Sequence, residues 1–160
     1  MLDPSPASVA PHLAGIALEY TSDGVMITDA DNRIIYVNRA FREVTGYSFD
    51  EAVGETPGML NSGRHDAAFY RDMWAALQEQ GHWQGEIWDR RKNGDIYPER
   101  LSISAVRDAD GRIERYVAVF TDILALRRAE EKLQRLTHFD ALTELPNRAQ
   151  LSERLHQLVE

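Results

Sequence analysis

Two alternating segments joined by a tight turn decide the fold: residues 83–106 read WQGEIWDRRKNGDIYPERLSISAV. Apolar and polar side chains alternate over much of Trp83–Arg91 and of Ile96–Val106, as expected for strands with one buried face. Asn93-Gly94 between them is a strong hairpin signal, because these residues accept the positive φ angles of a tight turn. A third alternating segment, Ile113–Ile123, follows. The sequence therefore predicts three antiparallel strands in this half of the chain.

The first half of the chain predicts another hairpin, followed by helices. Val25–Thr28 and Ile34–Val37 are short runs rich in β-branched residues, which favour strands. Asn38 is expected to open one helix, and Ser48 and Asp66 to cap two more. The predicted order is two strands, short helices and three strands, which is an α+β fold class.

Both ends of the chain depart from this pattern. Residues 1–12 hold three prolines among small residues, so we expect a flexible leader without a helix, followed by an N-terminal helix from Leu13. Residues 124–138 show the a/d spacing of a coiled coil. Its apolar positions, spaced by three, four and three, are Leu126, Ala129, Leu133 and Leu136. Two heptads are too few to decide between two interpretations, a dimer seam and a helix packed on its own domain.

The composition argues against nucleic-acid binding, membrane association and cysteine chemistry. The chain has 26 acidic and 18 basic residues and a formal net charge of −8, which disfavours binding to nucleic acid or to an anionic membrane. No apolar run reaches the ~18 residues of a membrane span and no signal peptide is visible, so a cytoplasmic location is expected. The absence of cysteine excludes disulfides, Cys-ligated zinc, iron–sulfur clusters and thiol nucleophiles.

Several stretches, in the right order, resemble the PAS superfamily of sensor domains. These stretches are Gly24–Asp29, Ile35–Phe41, Thr45–Tyr47, Trp83–Glu86, Arg90–Gly94 and Phe120–Ile123. The resemblance implies a PAS fold: a five-stranded antiparallel sheet with short helices across one face, enclosing a pocket, flanked by an N-terminal helix and a C-terminal linker helix. We accordingly assign residues 13–123 to a sensor domain and residues 124–138 to a signalling helix. Light-sensing relatives of this fold use a cysteine adduct, which this chain cannot form.

A second resemblance begins near the C-terminus. Residues 140–148, DALTELPNR, resemble the opening of a GGDEF domain, the diguanylate cyclase family. The Gly-Gly-(Asp/Glu)-Glu-Phe loop that carries that family's metal and nucleotide chemistry does not occur in the chain, so residues 139–160 are expected to be a truncated start of the domain. The chain itself is therefore not expected to be an enzyme. The resemblance implies a parent diguanylate cyclase, controlled by a homodimer that forms through residues 124–138 and the N-terminal helix.

The segment 61–83 is similar to flavin-binding PAS domains of aerotaxis transducers and of the nitrogen-fixation regulator NifL. The shared features are an asparagine after the second strand (Asn38), a Met-Trp on the long helix and a Trp-x-Gly in the next strand. The aerotaxis group also carries an Arg-His pair before that helix, which Arg64 and His65 match. The resemblance implies an FAD site, and the implied contact residues are Asn38, Arg64, His65, Phe69, Trp74, Trp83 and Asp89. Tryptophan faces suit a planar ring, and an asparagine can donate and accept at its polar edge. An arginine near a helix start suits the pyrophosphate.

Other interpretations stay open at this point. Flavin-binding relatives tend to have asparagine where this chain has Asp89, and a carboxylate only accepts hydrogen bonds. The same pattern occurs in PAS domains with no known cofactor, in which Trp74 and Trp83 are core residues and the domain serves dimerisation or a partner protein. In a haem-based gas sensor, His65 or His82 would be the axial ligand.

Overall fold

The structure, a computed structural model, describes residues 6–138 and residue 145. The five strands in this part of the chain form one antiparallel sheet in the order β2-β1-β5-β4-β3. The strands are β1 (Gly24–Asp29), β2 (Ile34–Val37), β3 (His82–Arg90), β4 (Ile96–Arg107) and β5 (Ile113–Asp122). The helices are α1 (Pro6–Tyr20), α2 (Arg39–Thr45), α3 (Phe49–Ala52), a 3₁₀ helix at Pro57–Leu60, α4 (Ala67–Gln80) and α5 (Leu124–His138). The predicted sheet and the predicted order of strands and helices are confirmed.

The hairpin of β3 and β4 forms in a register that places two acidic residues on the buried face. Ile87 pairs with Glu99, and Asp89 pairs with Tyr97. These four residues lie on one face of the sheet, because paired residues of an antiparallel ladder point to the same side, as do residues two positions apart along a strand. All four are buried. Phe120 of β5 is buried on this face as well. The inner face of the sheet therefore combines apolar side chains with two carboxyl groups.

The helices begin at the caps that the sequence predicted. The Ser48 hydroxyl and Glu51 form a capping box at the start of α3. The Asp66 carboxylate accepts the Phe69 backbone N–H at 2.9 Å at the start of α4. Helix α4 ends at Gly81, whose φ of 79° is a left-handed conformation that glycine adopts without strain. These caps fix the length of α4, which packs against β3 and β4.

Helix α1 begins earlier than predicted. A leader without a helix was expected over residues 1–12, but α1 starts at Pro6 and continues through Pro11, so the expectation is wrong for residues 6–12; residues 1–5 lie outside the described residues. A proline in the first turn costs no helical hydrogen bond. Pro11 lies inside α1, where a proline removes its own N–H from the ladder and crowds the carbonyl four residues before it. The C-terminal end of α1 is held to α2, because the Arg42 guanidinium donates to the Glu19 carboxylate.

Helix α5 follows the sheet in the chain. It spans Leu124–His138, and its Leu126, Leu133 and Leu136 side chains are 51%, 64% and 56% exposed. The predicted GGDEF opening at residues 140–148 lies outside the described residues, apart from residue 145. Within the part of the chain that the structure describes, no helix is long and apolar enough to cross a membrane.

Candidate functional site

A cavity of about 340 Å³ lies against the inner face of the sheet. Strands β1, β3, β4 and β5 contribute to it, together with the 3₁₀ helix, α4 and the turn between β1 and β2. The lining residues are Met26, Asp31, Asn32, Thr56, Pro57, Gly58, Leu60, Asn61, Tyr70, Trp74, Ile87, Asp89, Glu99, Leu101 and Phe120.

Most of the cavity wall is apolar. Leu101 and Phe120 face each other across β4 and β5. The Phe120 ring lies over Gly24, where an added Cβ would come within 2.2 Å of the ring. Trp74 of α4 lines the cavity and packs edge-to-face on Tyr116, with ring centroids 5.4 Å apart. This wall suits a flat apolar molecule.

Two carboxyl groups, Asp89 on β3 and Glu99 on β4, form the polar end of the cavity. The two residues are 7% and 2% exposed and lie close enough for each to affect the pKa of the other, and the Tyr97 hydroxyl donates to Glu99 at 2.8 Å. Burial, and then the nearby Asp89 charge, raise the pKa of Glu99 well above its usual value. Burial raises the pKa of Asp89 to about 7, against a smaller lowering by its interaction with Glu99. Near neutral pH the pair therefore keeps at least one proton.

Tyr70 brings a hydroxyl without a partner to the same cavity. Its oxygen is buried and makes no hydrogen bond within the described part of the chain. Burial, and then the charge of Asp89, raise the pKa of the Tyr70 hydroxyl. Leaving a buried hydroxyl unpaired costs about 1–3 kcal/mol. The Tyr70 hydroxyl is therefore a candidate contact for a polar atom of a ligand.

Of the seven predicted contact residues, Trp74 and Asp89 line the cavity. Phe69 and Trp83 instead pack against each other, edge-to-face with centroids 5.8 Å apart. The Trp83 ring lies over Gly85, where an added Cβ would come within 2.8 Å of it. Packing therefore explains the Trp-x-Gly pattern. The Trp83 ring lies over the position two residues along the strand, and glycine leaves room for it there.

Arg64 and His65 lie at the edge of the sheet and do not line the cavity. The Trp88 backbone N–H donates to His65 Nε2 at 2.9 Å, and the Ser62 hydroxyl donates to the Trp88 carbonyl. The Arg64 guanidinium lies 4.2 Å from the centroid of the Trp88 ring. These contacts cover the free backbone edge of β3. The contact of Arg64 and His65 with a cofactor therefore stays a prediction. Of the two histidines considered as haem ligands, His65 accepts the Trp88 N–H through Nε2 and His82 is exposed.

The Asn38 side chain hydrogen-bonds to four backbone groups. Its Oδ1 accepts the backbone N–H groups of Val25 at 2.8 Å and Phe41 at 3.0 Å. Its Nδ2 donates to the backbone carbonyls of Leu18 at 2.8 Å and Asp23 at 2.9 Å. A carboxamide has two donor hydrogens and two acceptor lone pairs, so the fully buried Asn38 has none left for the edge of a ring.

Sequence reasoning missed Glu99 and Tyr70 as members of the site. Glu99 stands two positions before Leu101 in an alternating strand, so an acidic residue falls on the apolar face, where a lone charge is costly. Tyr70 precedes Trp74 by four positions, which places both on one face of a helix. Both signals were present in the sequence.

Comparison with known proteins agrees with this architecture. The PAS domain family matches residues 22–125. The chain belongs to the PAS domain family. The crystal structure of a PAS domain from Colwellia psychrerythraea has the same fold, with a TM-score of 0.68 at 23% identity, covering 72% of this chain and 98% of that one.

Two curated relatives are similar to this chain over most of its length. The nitrogen fixation regulatory protein of Klebsiella oxytoca is 32% identical over 124 residues, which cover 78% of this chain and 25% of that protein. A blue-light-activated histidine kinase of Brucella canis is 33% identical over 119 residues, covering 72% of this chain and 24% of the kinase. The chain thus spans about a quarter of the length of these relatives. The matched region is a sensory PAS domain.

Proposed function

We propose that the PAS domain binds a flavin, as FAD, in its cavity and that the bound flavin regulates a following diguanylate cyclase domain through α5. The cavity carries the proposal, because it joins an apolar wall that includes Trp74 to a polar end formed by Tyr70, Asp89 and Glu99. Apolar pockets with a few converging polar groups are typical of cofactor sites. A planar ring with polar atoms along one edge matches that arrangement.

The residues present fit the ring of a flavin. The cavity of about 340 Å³ is within the range of small-molecule sites, about 300–1,000 Å³. The unpaired Tyr70 hydroxyl supplies a donor for a ring acceptor. Asp89 supplies another, because its raised pKa lets it carry a proton where an ionised carboxylate would only accept. A bound flavin would supply reversible electron transfer, and the protein would hold the ring and exclude water.

The proposed regulation of a following cyclase domain depends on α5 and the segment after it. Leu126, Leu133 and Leu136 are exposed on α5, and a second α5 in a coiled coil would cover such positions. The resemblance of residues 140–148 to a GGDEF opening supports a cyclase as the regulated domain. Similarity to a nitrogen fixation regulatory protein supports a regulatory role. A ligand regulates in this way only if it binds the active and inactive arrangements with different affinity.

Reconstitution with FAD tests the proposal. The purified protein is mixed with excess FAD, separated from unbound cofactor and examined by visible absorption. We expect the spectrum of a bound oxidised flavin for the wild type, and its loss in Trp74→Ala, which removes part of the cavity wall. Tyr20→Ala is the matched control, because Tyr20 is aromatic, 73% exposed and outside the cavity lining.

A folded wild-type protein that stays colourless with excess FAD would contradict the flavin proposal. That outcome would favour a cofactor-free dimerisation or protein-interaction domain. This second function has its own support, since Asn38, Arg64 and His65 are engaged in contacts within the protein. A Soret band in the purified protein would instead indicate haem.

A further inference from the structure

The buried carboxyl pair lies at the polar end of the cavity, and both Asp89 and Glu99 line it. The Tyr97 hydroxyl donates to Glu99 at 2.8 Å, and Asp89 lies close enough to Glu99 for each to affect the pKa of the other. Burial and the Asp89 charge raise the pKa of Glu99 well above its usual value, so Glu99 holds the first proton of the pair. When Glu99 is protonated, a further proton on Asp89 is available to a molecule in the cavity.

We propose that the cavity binds its ligand together with one proton on Asp89, so that ligand affinity depends on pH near neutrality. The inference rests on the proposed function, with the carbonyl-bearing edge of a flavin as the acceptor of that proton's hydrogen bond. Protonated Asp89 donates to the ligand. Ionised Asp89 repels the same carbonyl oxygens.

Tyr70 indicates which protonation state of Asp89 binds the ligand more tightly. Its buried hydroxyl lacks a partner among the described residues and lies close enough to Asp89 to feel its charge. Because this hydroxyl is not already donating to a described residue, it can donate to a ligand whose atoms at this end accept hydrogen bonds. When Asp89 is protonated, a ligand end rich in hydrogen-bond acceptors meets two donors, the Tyr70 hydroxyl and the Asp89 carboxyl. When Asp89 is ionised, the same end meets the Tyr70 donor and a negative charge. Binding therefore favours the protonated carboxyl.

The other groups around the pair do not neutralise a charge on Asp89. Arg91 stacks on the Tyr97 ring at 3.9 Å, and its guanidinium is paired with the Asp122 carboxylate. Asp122 stands opposite Glu99 on β5 and adds negative potential there. Among the described residues, neither Asp89 nor Glu99 forms a salt bridge. An ionised Asp89 would therefore be buried without a cation.

The pKa of Asp89, about 7 through burial, places the titration in an accessible range. If the ligand needs the proton, affinity is constant below this value and falls roughly tenfold for each pH unit above it. By linkage, a bound ligand raises the pKa of Asp89.

The test measures FAD affinity by fluorescence titration from about pH 6 to about pH 9. For the wild type we expect roughly tenfold weaker binding per unit above about pH 7. Asp89→Asn keeps a permanent donor, so its affinity should be nearly flat over the same range. Asp110→Asn removes an exposed carboxylate outside the cavity and should keep the wild-type dependence.

Two results separate this inference from the proposed function. Wild-type affinity that does not change with pH, or a dependence that survives in Asp89→Asn, overturns the inference and leaves the flavin site standing. Absence of FAD binding by folded wild type at every pH overturns the flavin site itself, and this inference with it.

A second measurement keeps the inference falsifiable if Asp89→Asn does not fold. Infrared spectra of the wild type without FAD should show a protonated carboxyl that ionises between about pH 6 and about pH 8.5, and added FAD should move that transition upward. Carboxyl groups that are all ionised at about pH 6, or a transition that FAD leaves in place, would overturn it.

Discussion

The side chain of Asn38 hydrogen-bonds to backbone groups from three segments of the chain. It accepts two N–H groups, from Val25 and Phe41, and donates to the carbonyls of Leu18 and Asp23. A single fully buried residue thus caps α2 and joins the end of α1 to the start of β1. These bonds give Asn38 a role in the stability of the domain.

Asn38→Ala should destabilise the domain strongly. It leaves two buried donors and two carbonyls without their partner, at a cost of about 2–4 kcal/mol. Urea denaturation measures the change in the free energy of unfolding. Gln84→Ala, at an exposed strand position, is the control and should differ from wild type by less than about 0.5 kcal/mol. An Asn38→Ala protein as stable as this control would refute the role given to the four bonds.

Asp89 should make the stability of the ligand-free domain fall as pH rises. Its folded pKa of about 7 lies above the usual 3.8, so the folded state binds the proton more tightly than the unfolded state. Its contribution is fully present below about pH 4 and is lost as pH rises through about 7. Melting scans of wild type and Asp89→Asn should show the variant gaining about 1–3 kcal/mol over wild type between about pH 5 and about pH 8. A constant difference between the two proteins would show that Asp89 titrates normally.

At the scale of single elements, β3 depends on a glycine for its packing. Gly85→Ala would place a methyl group 2.8 Å from the Trp83 ring and displace that ring from Phe69, for a loss of about 1–3 kcal/mol in unfolding free energy. Gly15→Ala is the matched control, because nothing lies within 4 Å of the added Cβ, and alanine in a helix is neutral or stabilising. Equal stability of the two variants by chemical denaturation would disprove the close contact.

Most helices and strands could be predicted because their signals are local. The Asn93-Gly94 turn fixed the β3–β4 hairpin, and Ser48 and Asp66 marked helix starts that the structure confirms. The start of α1 was not predictable from its prolines, since Pro6 and Pro11 each remove one donor but leave the helix possible.

The candidate site was less predictable, because it depends on contacts between distant segments. Trp74 and Asp89 were both predicted through a family resemblance, and both line the cavity. The edge position of His65 depends on its bond to Trp88, which no local pattern in the sequence indicates. Glu99 joins Asp89 only through the register of β3 and β4.

At the scale of the whole molecule, α5 is the proposed means of pairing two chains. Leu133→Glu should convert a dimer to a monomer, because the 64% exposed Leu133 would bring two like charges together in a coiled-coil seam. Light scattering after size exclusion gives the mass directly. Gln134→Glu adds the same charge one position away, off the predicted seam, and should leave a dimer intact. A wild-type monomer, or a dimer that survives Leu133→Glu, would contradict pairing through α5.

Nuclear magnetic resonance of the labelled protein during addition of FAD tests whether a flavin ring binds in the cavity. We predict that the largest shift changes fall on backbone amides of Ile87, Asp89, Glu99 and Leu101, which line the cavity from β3 and β4. Amides of Val106 and Arg107, at the far end of β4 and outside the lining, should move little. Saturable changes confined to residues outside the cavity, or none with excess FAD, would contradict the account.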